Sequence, residues 1–205
     1  MKQTTKMLCL AAAAAAVAGC ATMAPDYGAA SMALMKRDFK DRGQATVSRL
    51  NQDELQAACS MLDGQPPSKD LAATLEKGQQ ALLKFPADGK FLGDWTKAEK
   101  VAQNGRGGQW SDNPKNPQGG NCYACHQLTK AEISYGNIGP SLYNFGKVRG
   151  NTPEVQKYTY SKIYNSHAYS ACSQMPRFGL KGILTEEQIK DLTAYLLDPR
   201  SPVNQ

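Results

Sequence analysis

The sequence predicts an all-α fold, because several segments have helical periodicity and none has a convincing strand pattern. The clearest helix follows Thr185, an N-cap residue that can form a capping box with Gln188 three positions later. Ile189, Leu192 and Leu196 then recur on one face of this helix. We therefore expect helices alone to build the core.

Composition divides the chain into a signal peptide of lipoprotein type (residues 1–19), an N-terminal helical extension (20–90) and a main domain (91–205). The signal has Lys2 and Lys6 at its start, followed by an apolar stretch and small residues. That stretch is too short and too rich in alanine for a membrane span. We expect export to the periplasm, where disulfides persist.

Cys20 is a candidate lipidation site. The sequence Val17-Ala18-Gly19-Cys20 resembles a bacterial lipobox, and Ala21 after it suits an outer-membrane destination. The alternative is cleavage near Ala24, which would place Pro25 unfavourably after the cut. We expect contact with the membrane only through a lipid anchor.

The extension contains three helix patterns. The first covers Ala30 to Phe39, the second covers Gln52 to Met61 with Asn51 as its N-cap, and the third begins at Ser68. Its Lys and Asp residues are expected to be solvated, and nothing in it indicates a catalytic site. The extension is expected to pack on the main domain or on a partner.

The charge of the chain does not predict nucleic-acid binding. Removal of the signal takes away Lys2 and Lys6 and no acid, so the formal charge falls from +6 to +4. No basic run is long enough for a nucleic-acid site. A mildly positive surface would steer an acidic redox partner.

The most informative motif is Cys122-Tyr123-Ala124-Cys125-His126, which has the spacing of a c-type haem attachment site. Two thiols add to the two vinyl groups of one porphyrin edge, and the next His reaches the iron. A thioredoxin-like pair would need a preceding strand, whereas residues 113–121 are rich in Gly, Pro and Asn. A zinc site would need a second ligand pair at matching spacing. The motif predicts one covalently bound haem c.

His126 is the expected proximal iron ligand, and Met175 the expected distal one. Met175 lies 49 residues beyond His126, in the apolar segment 174–179. His–Met ligation is typical of electron-transfer cytochromes, in which the thioether raises the reduction potential. A core position for Met175 is the alternative. His167 could be a distal ligand, but the segment 175–179 is the better match, and we expect a structural role for His167.

Cys59 and Cys172 remain after the signal, the lipid site and the haem motif have taken the other four cysteines. In an oxidising compartment two remaining thiols usually pair, which predicts a Cys59–Cys172 disulfide. Closing so long a loop contributes nominally about 4–5 kcal/mol. Two separate buried thiols are the alternative.

The order of elements in residues 91–205 resembles a class I cytochrome c, with helices near 94–103, 153–166 and 185–198. In that family a Gly-Pro segment supplies the carbonyl that orients the proximal His. The resemblance assigns this role to Pro140, for which an ordinary turn proline is the alternative.

Arg149 and Arg177 are candidates to pair with a haem propionate. A guanidinium can bind such a carboxylate with two parallel hydrogen bonds. A solvated surface position is an equal alternative for Arg149. Arg177 is the stronger candidate because it lies two residues after Met175.

Residues 90–199 more closely resemble SoxX, the small monohaem cytochrome subunit of the bacterial thiosulfate-oxidising Sox system. The stretches that carry this resemblance are 97–110, 119–127, 139–142 and 165–179. The extension is not covered by it.

The SoxX resemblance implies a partner and a mechanism. SoxX pairs with SoxA, a larger c-type cytochrome, and the complex oxidatively joins thiosulfate to a cysteine of a sulfur-carrier protein. The chain would be the electron-transfer subunit of this L-cysteine S-thiosulfotransferase, with no catalytic residue of its own, and would reduce a downstream cytochrome. The alternatives are a free-standing or membrane-tethered electron carrier and a haem sensor in which Met175 does not hold the iron.

Overall fold

The computed structural model describes residues 27–205, which belong to two compact units divided between Lys40 and Asp41. The described part of the first unit is helix α1 (Tyr27–Asp38), which has no buried residue. The predicted signal peptide and the lipidation site Cys20 lie outside the described residues. None of the described helices is long and apolar enough to cross a membrane.

The second unit is built from helices joined by loops. They are α2 (Glu54–Ser60), α3 (Lys69–Gln80), α4 (Trp95–Gln103), α5 (Phe145–Arg149), α6 (Pro153–Tyr164) and α7 (Glu186–Leu197). Single 3-10 turns cover Val47–Leu50, Cys122–Ala124, Ser166–Ala168 and Pro202–Asn204. Between residues 27 and 205 the only β pairing is an isolated bridge, which confirms the all-α prediction.

Helices α4 and α7 pack against each other and form the centre of the core. Ala98 and Ala102 of α4 are fully buried, and such small side chains let the two backbones approach closely. At the start of α4, Asp191 of α7 accepts a hydrogen bond of 2.6 Å from the backbone of Asp94. This pairing of the first and last helices of the main domain is the arrangement that the resemblance to class I cytochromes c implies.

The segment 41–50, before α2, runs along a loop of the main domain. The guanidinium of Arg42 lies 3.2 Å above the ring of Trp110, a cation–π contact. Arg49 donates a hydrogen bond of 2.7 Å to the carbonyl of Gly108. The extension from Asp41 onward therefore belongs to the same compact unit as the main domain.

Helix α2 begins later than the sequence indicates, and the N-cap prediction for Asn51 is wrong. Asp53 is the N-cap: its carboxylate accepts the backbone N–H of Gln56, and the side chain of Gln56 accepts the backbone N–H of Asp53. This reciprocal capping box satisfies two N–H groups at once. The third predicted helix does begin after Ser68.

Candidate functional site

The Cys-x-x-Cys-His motif is a single tight turn. Cys122 to Ala124 form a 3-10 turn, and the carbonyl of Cys122 accepts the backbone N–H groups of both Cys125 and His126. Asn121 enters this turn in the left-handed region, with φ of 48°. Among residues 27–205, Cys122 and Cys125 are the cysteines outside a disulfide, so two thiols are free one turn apart.

Packing fixes this turn on the core. The buried Tyr123 has its hydroxyl 3.2 Å from that of Thr129 and 3.4 Å from that of Tyr195 in α7. A Cβ on Gly120 would lie 3.0 Å from the Cys122 sulfur, so a glycine lets the backbone approach the thiol. Burial raises the pKa of Cys122 to about 12, which makes it a neutral thiol at pH 7.

His126 is held in one orientation by the segment that follows the motif. Its Nδ1 lies 2.7 Å from the carbonyl oxygen of Pro140, the hydrogen bond that the sequence predicts. Since a carbonyl only accepts, Nδ1 carries the proton and Nε2 keeps its lone pair. A Cβ on Gly139 would lie 2.2 Å from Cε1 of this ring, so only glycine permits the backbone to support the imidazole there.

Met175 lies in a short loop, and hydrogen bonds between the backbone of Met175 and two serine side chains hold that loop together. The carbonyl of Met175 accepts a hydrogen bond from the hydroxyl of Ser166, and its N–H donates to the hydroxyl of Ser173 at 3.1 Å. The side chain is half-buried and packs against the main core. We call residues 165–179 the methionine loop.

The predicted disulfide is present. Cys59, near the end of α2, is bonded to Cys172 with an S–S distance of 2.02 Å and a Cα–Cα distance of 5.4 Å. Cys172 has φ of 60°, a conformation that side-chain-bearing residues rarely adopt. The extension is thereby covalently joined to the methionine loop three residues before Met175.

In this structure Arg177 pairs with a carboxylate of the protein itself, that of Asp53. The side chain of Arg177 is 6 % exposed, and its Nη2 lies 2.7 Å from a carboxylate oxygen of Asp53. A buried guanidinium needs a counter-charge, and α2 supplies it. The expectation that the acids of the extension are solvated is therefore wrong for Asp53. Arg149 is exposed at the end of α5.

Asp53 also accepts a hydrogen bond of 2.8 Å from Lys181. Partial burial by itself would raise the pKa of this carboxyl group. The bonds from Lys181, from the backbone of Gln56 and from Arg177 outweigh that effect and lower the pKa to about 2. No local pattern around Asp53 indicates this role, because Arg177 and Lys181 lie in a distant part of the chain.

His167 is a buried residue of the methionine loop, and its Nδ1 has no hydrogen-bond partner. Burial, together with the nearby positive charge of Arg177, lowers its pKa. It is therefore a neutral imidazole at pH 7. This environment agrees with a structural position, and nothing in the geometry directs His167 to the Cys-x-x-Cys-His turn.

Two similarities to known proteins agree with this geometry. Residues 115–198 match the family model described as cytochrome c. An uncharacterized lipoprotein of Aquifex aeolicus is 42% identical over 160 residues, which span 75% of this chain and 73% of the relative.

The residues present fit a covalently bound haem. Two thiols stand one turn apart, the next histidine has its Nδ1 engaged and its Nε2 available, and the cytochrome c match spans this turn and the methionine loop. The chain therefore belongs to one family with the Aquifex lipoprotein and carries a class I cytochrome c domain, with one covalently bound haem c for electron transfer.

Proposed function

We propose that Cys122 and Cys125 bind the haem through thioethers and that His126 and Met175 are its axial ligands. The observation that carries this assignment is the 2.7 Å contact between His126 Nδ1 and the Pro140 carbonyl, which leaves Nε2 for the iron. The bound haem gains and loses one electron at a time. The protein would orient the imidazole through Pro140 and would hold the thioether sulfur of Met175 in its loop.

We further propose that the chain acts as the SoxX-like subunit of a thiosulfate-oxidising complex. It would take electrons released when a SoxA-like partner joins thiosulfate to a sulfur-carrier protein, and pass them to a downstream cytochrome. The resemblance over residues 90–199 supports this role. The disulfide supports it too, because in residues 27–205 it leaves no free cysteine beyond the two haem thiols to act as a sulfur nucleophile.

A membrane-tethered electron carrier of the periplasm is the second candidate. It is favoured by the lipobox-like sequence that ends at Cys20 and by a relative named as a lipoprotein. On this proposal the lipid holds the chain at the outer membrane and the cytochrome shuttles electrons without a permanent partner. The two candidates share the haem site and differ in whether a stable complex exists.

Affinity purification from thiosulfate-grown cells distinguishes the two candidates. The tagged full-length protein is recovered after gentle solubilisation, and its companions are identified by mass spectrometry. A larger c-type cytochrome in stoichiometric amount supports the subunit role, and recovery of a monomer contradicts it. A Cys20→Ser variant is the control: it should leave the membrane fraction while keeping any partner.

The ligand assignment is tested on the purified ferric protein. A methionine sulfur on ferric haem iron gives a weak long-wavelength charge-transfer band, which should be present in the wild type and absent in Met175→Leu. Met61→Leu is a matched control, because Met61 is 86% exposed. A band that survives Met175→Leu would show that a different methionine binds the iron and would contradict the assignment, whereas a wild type without the band would favour a sensor-type haem.

A further inference from the structure

The two ends of α2 contact the methionine loop at residues that flank Met175 in the sequence. At the start of the helix, Asp53 pairs with Arg177, two residues after the methionine. Near its end, Cys59 is bonded to Cys172, three residues before it. One short helix of the extension thus fastens both sides of the loop that presents Met175.

Helix α3 forms hydrogen bonds with the first half of the methionine loop, before Met175. The side chain of Gln79 and its backbone carbonyl both accept hydrogen bonds of 3.1 Å from Asn165, which is fully buried. Gln80 donates 2.8 Å to the carbonyl of Ala168. The carboxylate of Glu76 accepts the N–H of Ala171 at 3.0 Å. The contacts on this side are polar and directional, so they define the path of the loop.

We propose that residues 53–80 are a splint whose function is to hold Met175 against the haem iron, with Asp53 as its positioning residue. The inference rests on the proposed Met175 ligation. A loop that is free to open presents its ligand for only part of the time, and an external ligand then competes more effectively. The splint keeps the closed state populated.

A substitution of Asp53 best distinguishes an effect on the position of Met175 from an effect on the stability of the fold. Arg177 is almost fully buried, and its side chain donates hydrogen bonds to Asp53 at 2.7 Å and to Gln79 at 3.4 Å. Only Asp53 is charged, so its loss leaves a guanidinium in the loop without a counter-ion. Asn at this position is also a good N-cap, so Asp53→Asn removes the charge while α2 keeps its cap.

Imidazole binding to the purified ferric holoprotein at pH 7 tests the splint. We expect Asp53→Asn to increase the imidazole affinity about threefold and Cys59→Ala/Cys172→Ala about tenfold, because each increases the open fraction of the loop. The methionine charge-transfer band should weaken in the same order. Asp88→Asn is the matched control, because Asp88 pairs with Lys190 of α7 at 3.3 Å, and it should leave both readouts unchanged.

The outcomes separate this inference from the ligand assignment. If both variants unfold more easily but bind imidazole as tightly as the wild type does, residues 53–80 only stabilise the fold, and the splint is wrong. If the wild type itself lacks the methionine band, the Met175 assignment fails and the splint fails with it. A wild-type band with a graded rise in imidazole affinity supports both.

Discussion

The proximal and distal sides of the proposed haem site are organised over very different distances along the chain. His126 donates a hydrogen bond to the carbonyl of Pro140, 14 residues away, and its ring rests on Gly139. Met175 is held through Cys172 and Arg177, whose partners lie 113 and 124 residues away. The proximal side is thus defined by a local segment, whereas the distal side depends on a separate part of the chain.

This difference separates two properties of the site. A local segment can adopt its geometry whenever the motif turn folds, so covalent attachment and the proximal ligand should tolerate changes in the extension. The distal ligand requires the extension to be folded and docked. We therefore expect variants on the two sides to have distinct effects, and the four tests below run from the largest effect to the smallest.

Removal of both haem thiols should have the largest effect. In Cys122→Ala/Cys125→Ala no thioether can form, so haem staining on a denaturing gel should be lost completely. Cys59→Ala/Cys172→Ala is the control, and it should keep its stain although it lacks the same number of cysteines. Retained stain in the first variant would contradict the assignment of the attachment site.

Gly139→Ala should disturb the proximal side. The added Cβ would lie 2.2 Å from Cε1 and 2.5 Å from Nδ1 of His126, so the ring or the backbone must move. Overpacking of this kind costs about 1–3 kcal/mol, measured as the free energy of unfolding in urea. The methionine charge-transfer band should also shift or weaken. Unchanged stability and spectrum would show that the ring does not rest on this glycine.

On the distal side, the stability that Asp53 contributes should depend on pH. Its pKa is about 2 in the folded protein against an ordinary value of 3.8, so its contribution to stability is complete above pH 3.8. That contribution disappears as the pH falls through 2. The melting temperature of the wild type should exceed that of Asp53→Asn at pH 5, and the two should converge towards pH 2. A gap that stays constant over this range would contradict the ion pair.

The smallest effect is expected from Gly78→Ala, in α3. A Cβ there meets no atom within 4 Å, and its φ is not in the left-handed region. Alanine in a helix interior is favoured over glycine by about 0.5–1 kcal/mol, so the urea midpoint should rise slightly. The variant is also a control for Gly139→Ala, because the same substitution is made where space exists. A loss of stability would mean that α3 packs more closely than the structure shows.

The two sides also differ in how far sequence reasoning could reach. The Cys-x-x-Cys-His turn was accessible because its spacing is characteristic, and the Pro140 hydrogen bond because the resemblance to class I cytochromes c implies it. The Cys59–Cys172 pairing was accessible by elimination among six cysteines.

The Asp53–Arg177 pair was not accessible, because no pattern links two charges so far apart in the chain. The choice of Asn51 as the N-cap left Asp53 among the acids of the extension that were assigned to solvent. The same limit applies to Arg177, whose propionate contact stays a prediction beside the Asp53 pair that the structure shows. A sequence shows that an arginine lies near a ligand, but its partner is decided by which segment folds over it.

The disulfide also determines where this protein can be shortened. A version that begins at residue 91, where the sequence suggested a domain boundary, would leave Cys172 without its partner and Arg177 without its counter-ion. Cys172 would then be an additional thiol able to compete with Cys122 and Cys125 during maturation. The natural starting point for a shortened, lipid-free protein is Asp41, where the second compact unit begins.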